Sequence, residues 1–137
     1  MKVALLSDVH ANLPALEAVL EDLPRVDTIV CAGDVVGYNP WPSECVERVR
    51  SVASATVRGN HDRMVDTPSR YAHNEMALSG LEHAAAELSA TQWEWLRTRP
   101  DRTEIADGAY RLVHSHPDPD ERDSYVYPKN FAGLRPY

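Results

Sequence analysis

Lys2-Val3-Ala4-Leu5-Leu6-Ser7-Asp8-Val9-His10 decides the fold: an apolar run of strand length that stops abruptly in a carboxylate and an imidazole. The same pattern recurs three times. Thr28–Ala32 runs into Gly33-Asp34, Ala55–Arg58 into Gly59-Asn60-His61-Asp62, and Tyr110–Val113 into His114-Ser115-His116. Open α/β sheets gather ligands at the carboxyl ends of their strands, so these polar residues should converge. Asp, His and Asn together offer the mixed oxygen and nitrogen donors that suit first-row divalent metals.

Between the strands the apolar period changes. Leu13, Leu16, Val19, Leu20 and Leu23 fall at helical spacing, with Pro14 in the first turn and Pro24 as the stop. A second helix is expected over about Pro42–Val52, with Val46 and Val49 on its inner face. The order β-α-β-α-β implies parallel strands joined by right-handed crossovers. Residues 63–73 read as polar and irregular. An alanine-rich helix over Glu75–Leu88 follows, then a short one capped by Ser89 and ending near Arg97, with Trp93 and Leu96 in the core. Thr103–Ala106 and Ala109–Val113 flank Asp107-Gly108, which predicts a two-residue hairpin turn. From Ser115 to Tyr137 the chain is rich in Pro and Asp and has little periodicity.

The 137 residues, 43% hydrophobic and 26% charged, suit one globular domain, 1–137, with a real core. A net charge of −7 argues against an extended nucleic-acid surface or an anionic-membrane surface. It leaves room for one phosphoester at a local cationic site. Cys31 and Cys45 are not in a C-x-x-C pair and read as buried reduced thiols. The opening apolar run is too short for a signal peptide, and no stretch reaches transmembrane length, so the expectation is a cytoplasmic protein with no membrane contact.

Each motif has an ordinary reading beside the chemical one. Asp8 and His10, two apart in extended backbone, would share a side and reach one cation, though D-x-H recurs by chance. Asp34 could bridge two metals about 3.5–4 Å apart, or simply cap a turn. In Gly59-Asn60-His61-Asp62 the Asn oxygen can ligate, His61 can donate a proton and Asp62 can orient His61; the rival is a polar loop. His114 taken singly is as readily structural. All of them in this order, each at a strand end, is hard to reconcile with chance.

These motifs resemble the calcineurin-like metallophosphoesterases, in particular their small bacterial and archaeal phosphodiesterase branch. The resemblance rests on Asp8-Val9-His10, Gly33-Asp34-Val35-Val36-Gly37-Tyr38, Gly59-Asn60-His61-Asp62 and Leu112-Val113-His114. It implies an α/β sandwich of two sheets flanked by helices. It implies a binuclear centre of two divalent metals (Mn, Fe, Ni, Zn or Mg), with Asp8, His10 and Asp34 on the first and Asp34, Asn60 and His114 on the second. His61 would be the general acid. The family closes its site with a later Gly-His-Thr-His motif, which is not found before Tyr137. The second sheet is therefore expected to be incomplete. Three readings stand: a fragment, a weakened member, or a site completed by a partner chain. His116 is read as a loop or substrate contact, and as a lesser alternative it could stand in for the missing ligands. Tyr38 and Asn39 either line the substrate approach or form a Gly-Tyr-Asn-Pro turn.

The function expected is hydrolysis of a small phosphoester by a metal-bridging hydroxide. A diester, such as a nucleotide, is favoured over a monoester by the resemblance. The rival is a protein-binding scaffold of the same fold. An aspartyl-phosphate phosphatase is excluded, because His10 stands where that chemistry needs a second acid. An uncovered edge and apolar patch at hairpin 103–113 (Ile105, Leu112 and Val113) would favour a homo-oligomer.

Overall fold

Residues 1–134 are described by a computed structural model; 135–137, the last of the tail, lie outside the described residues. Three short strands, β1 (Val3–Leu6), β2 (Thr28–Cys31) and β3 (Ala55–Thr56), form a parallel sheet in the order β1-β2-β3. The expected βαβαβ order holds, with α1 (Leu13–Asp22) and α2 (Pro42–Val52) as the crossovers. Asn12 caps α1 by accepting a hydrogen bond from the Ala15 N–H, and the helix stops two residues before Pro24, as the steric demand of proline requires.

Side chains of β2 alternate between two cores. Ile29 and Cys31 face one way, into a cluster with Leu16 of α1 and Val46 and Val49 of α2. Leu81 and Ala84 of α4 (Glu75–Glu87) and Leu96 of α5 (Ala90–Thr98) complete it. Val30 and Ala32 face the other way, toward Val57, Leu112 and Ile105. The central strand is covered on both faces, which accounts for its continuous apolar run, while Leu5 on the edge strand β1 stays exposed. Cys31 and Cys45 are buried free thiols, and burial pushes both up to about 12. Among the described residues no helix is long and apolar enough to cross a membrane.

The second sheet is a hairpin of β4 (Arg102–Ile105) and β5 (Tyr110–Val113). Several expectations need correction here. The ladder ends at Ile105 paired with Tyr110, so the connection is the four-residue loop Ala106–Ala109, closed by an Ala109 N–H to Ala106 carbonyl bond of 3.0 Å. Asp-Gly supplies the left-handed backbone expected of it, and Ala106 joins them at φ 55°. Leu112 is not part of an exposed patch: it packs under Val30, Ala32 and Val57. Val19, counted in the apolar stripe of α1, is 48% exposed. Finally, β3 is two residues long, and Asn60–Met64 form a short helix, α3, with a 3-10 turn at Pro68–Tyr71 inside the stretch expected to be irregular.

Candidate metal centre

The loops after β1 and β2 clasp each other through their backbones. The N–H groups of Asp8, His10 and Ala11 donate to the carbonyls of Gly33, Asp34 and Val35 at 3.0, 2.9 and 2.8 Å. Left-handed backbone accompanies the clasp at Asp8, His10, Ala11 and Asp34 and recurs at Tyr38, with φ between 48° and 63°. Such conformations cost roughly 1–2 kcal/mol per non-glycine residue and concentrate where geometry serves function. Asp8 and His10 are therefore not extended, and the expected reason for their shared side is wrong. They still meet, with His10 Nε2 3.7 Å from an Asp8 oxygen.

Gly33 and Gly59 allow the next approach. A Cβ on Gly33 would lie 2.3 Å from the Gly59 nitrogen, so no other residue fits without moving the backbone. With that contact made, Asp34 Oδ1 accepts the His61 N–H at 2.8 Å, which leaves Oδ2 3.8 Å from His10 Nε2 and 3.5 Å from His114 Nε2.

Two sets of ligand-capable atoms result, each within 4.8 Å: His10, Asp34 and His61, and Asp8, Asp34 and His114. Asp34 belongs to both, as a bridging carboxylate would. In these sets Asp8 groups with His114 while also lying 3.7 Å from His10, and His61, expected outside the ligands, stands beside His10. Asn60 is in the cluster, its Oδ1 3.0 Å from His114 Nε2.

That last contact tests whether cations fit. His114 Nδ1 lies 2.8 Å from the Ala32 carbonyl, which only accepts, so Nδ1 carries a proton. On a neutral ring Nε2 is then a lone pair, facing the oxygen of Asn60 and the carboxylate of Asp34. Acceptors aimed at one another are costly unless a proton or a cation lies among them, and one divalent cation can be shared by all three. Burial and the charge of Asp62 push buried Asp34 up to about 8, a penalty that a bound cation would reverse. The donor set fits divalent metals.

Asp62 does not orient His61. Its carboxylate accepts the N–H groups of Asp34, Val35, Val36 and Gly59 at 2.8, 2.9, 3.2 and 3.0 Å. It fixes the loop that carries Asp34, because four buried donors outbid one imidazole. Burial raises Asp62 while those donors favour its charged form. The buried Nδ1 of His61 has no hydrogen-bond partner. Burial, then His10 and His114, lower His61 to about 4.

Tyr38 reaches the site: its ring centroid is 4.8 Å from that of His10 and 4.7 Å from that of His61. Asn39 forms the turn, the other expectation for it: its amide donates to the His10 carbonyl at 2.8 Å. His116 lines a separate cavity with Arg102 and Arg122, away from the ligand cluster, and accepts the Asp118 N–H. A cavity of about 560 Å³ is lined by Asp8, Asn60 and His114 together with Tyr71, His73 and Tyr125. These three aromatic residues belong to no motif. Tyr71 and His73 lie in the stretch read as irregular, so nothing local in the sequence marks them.

A family model described as calcineurin-like phosphoesterase matches residues 1–133. The chain belongs to this family. It is 36% identical to a metallophosphoesterase from Sphaerobacter thermophilus whose crystal structure superposes with a TM-score of 0.78, covering 98% of this chain and 54% of that one. It is 48% identical over 62 residues to an uncharacterized protein of Methanocaldococcus jannaschii, covering 44% of this chain and 26% of that protein. It is 37% identical over 78 residues to phosphodiesterase YfcE of Escherichia coli, covering 48% of this chain and 42% of that protein. The match thus spans less than half the length of these curated relatives. The family's α/β architecture is the one seen here, and its members' phosphoester chemistry suits a site of Asp, His and Asn.

Proposed function

We propose that this protein is a divalent-metal-dependent phosphoesterase acting on a small phosphodiester. The observation that carries the reading is Asp34, one carboxylate common to two ligand sets, beside the opposed acceptors of His114 and Asn60. In this reading Asp8, His10, Asp34, Asn60 and His114 hold two divalent cations, with Asp34 between them. Bound there, such a pair supplies a water acidic enough to attack phosphorus near neutral pH and offsets charge on the phosphoryl oxygens.

The protein's own residues do the rest. The cavity of about 560 Å³ over the cluster is in the range that holds a nucleotide-sized ester. His61 protonates the departing alkoxide. Its Nδ1 is packed against Gly37, which leaves Nε2 as the nitrogen able to give up a proton. A phosphoryl anion beside this ring favours its charged form and offsets the burial that holds it at about 4. The name of the phosphodiesterase relative supports a diester over a monoester.

Turnover of a generic aryl phosphodiester, with and without Mn²⁺ and a chelator, tests the proposal. Activity should require the metal. His61→Ala should lower turnover by ~10²–10⁴ while metal is retained, the range for a lost general acid. Asp34→Ala should lose both cations. Equal metal content in wild type and Asp34→Ala would refute the bridge, and chelator-resistant turnover would refute the function.

A further inference from the structure

An asparagine serves a cation only with its oxygen end, and the two ends of Asn60 have different neighbours. Nδ2 donates to the Tyr71 hydroxyl at 2.6 Å, while Oδ1 faces His114 Nε2 at 3.0 Å. The hydroxyl can donate or accept, and with Oδ1 turned to a cation only Nδ2 is left for it, so it accepts the amide proton. Tyr71 closes the 3-10 turn Pro68–Tyr71, which packs against α4. Its ring contacts those of His61, at 4.8 Å between centroids, and His73, at 5.8 Å. These ring contacts and the turn's packing on α4 hold the hydroxyl beside the Asn60 amide.

We infer that Tyr71 is a positioning residue whose hydroxyl locks the Asn60 amide with Oδ1 toward the cation position shared with His114 and Asp34. The inference rests on the metal-centre reading above. Outer partners of this kind hold a ligand in the orientation a metal needs, and removing one typically costs about 10–100-fold in metal affinity. Tyr71 belongs to none of the motifs that mark the site, and it does not touch the cation itself.

The test is Mn²⁺ titration by calorimetry on wild type, Tyr71→Phe, Asn60→Ala and the double variant. Tyr71→Phe keeps the ring and its stacking and removes only the hydroxyl. Affinity at one of the two positions should fall about 10–100-fold, with the other unchanged. In the Asn60→Ala background, Tyr71→Phe should add nothing, because the partner it positions is gone. Wild-type affinity in Tyr71→Phe, or the same loss in both backgrounds, would overturn the role and leave the metal centre standing. Failure of the wild type to bind Mn²⁺ would remove the metal centre and this role together. A metal-free readout is independent of affinity. The Asn60 side-chain amide resonances of the apo protein should move in Tyr71→Phe, and unmoved resonances would overturn the contact.

Discussion

Asp62 is buried, 5% exposed, and a single carboxylate there accepts from four backbone N–H groups on two loops. Replacing it with alanine leaves those donors buried and unpaired, each costing about 1–3 kcal/mol unless water enters. Asp62→Ala should therefore lose ~3 kcal/mol or more of stability by urea denaturation. A loss under about 1 kcal/mol would show that the loop holds without it. Asp62→Asn should fare little better, since its amide nitrogen would meet donors. The identity of this residue was readable in the Gly-Asn-His-Asp run, but its role was not. The run suggests that neighbours in sequence help each other, whereas the folded backbone turns the Asp62 carboxylate toward the loop after β2.

The elements that carry the site are short, and the loops between them hold the chemistry. Gly37 has φ +97°, and a Cβ there would sit 2.6 Å from His61 Nδ1. Gly37→Ala adds left-handed strain of roughly 1–2 kcal/mol and drives the methyl against the proposed acid. Turnover should fall well beyond what the stability loss explains, with metal content retained; unchanged turnover would mean that the His61 ring does not need its present seat. At this scale the long periodic segments were legible. The spans of α1 and α2 and the Ser89 cap appear where spacing, proline and capping chemistry predict them. The short pieces were not legible. A five-residue helix at Asn60 has too few turns to show a period, and the Asp-Gly pair in the hairpin fits more than one loop length.

For the whole molecule, the site is a burden on the metal-free protein. Asp34 titrates near 8 folded against 3.8 unfolded, so its favourable protonated form is lost as pH rises to 8. His61 titrates near 4 folded against 6.5 unfolded, so its contribution is present above 6.5 and lost as pH falls toward 4. The two oppose each other below 6.5, and above it His61 no longer offsets Asp34. The metal-free protein should thus become less stable from pH 6.5 to 8. Asp34→Asn should flatten this slope and raise apo stability at pH 8, at the expense of the response to Mn²⁺. A flat or rising urea midpoint in the wild type over that window would contradict the buried, cation-hungry Asp34. By itself the sequence determined the βαβαβ order, the helix-facing core and which polar residues cap the strands, because periodicity and chain punctuation are local. Only the tertiary structure decided how those residues group, that Asp34 is shared, that Asp62, Asn39 and His116 are engaged elsewhere, and that Tyr71 joins the cluster. Those facts depend on distances between residues far apart in the chain, set by backbone clasps and glycine contacts that no local pattern records.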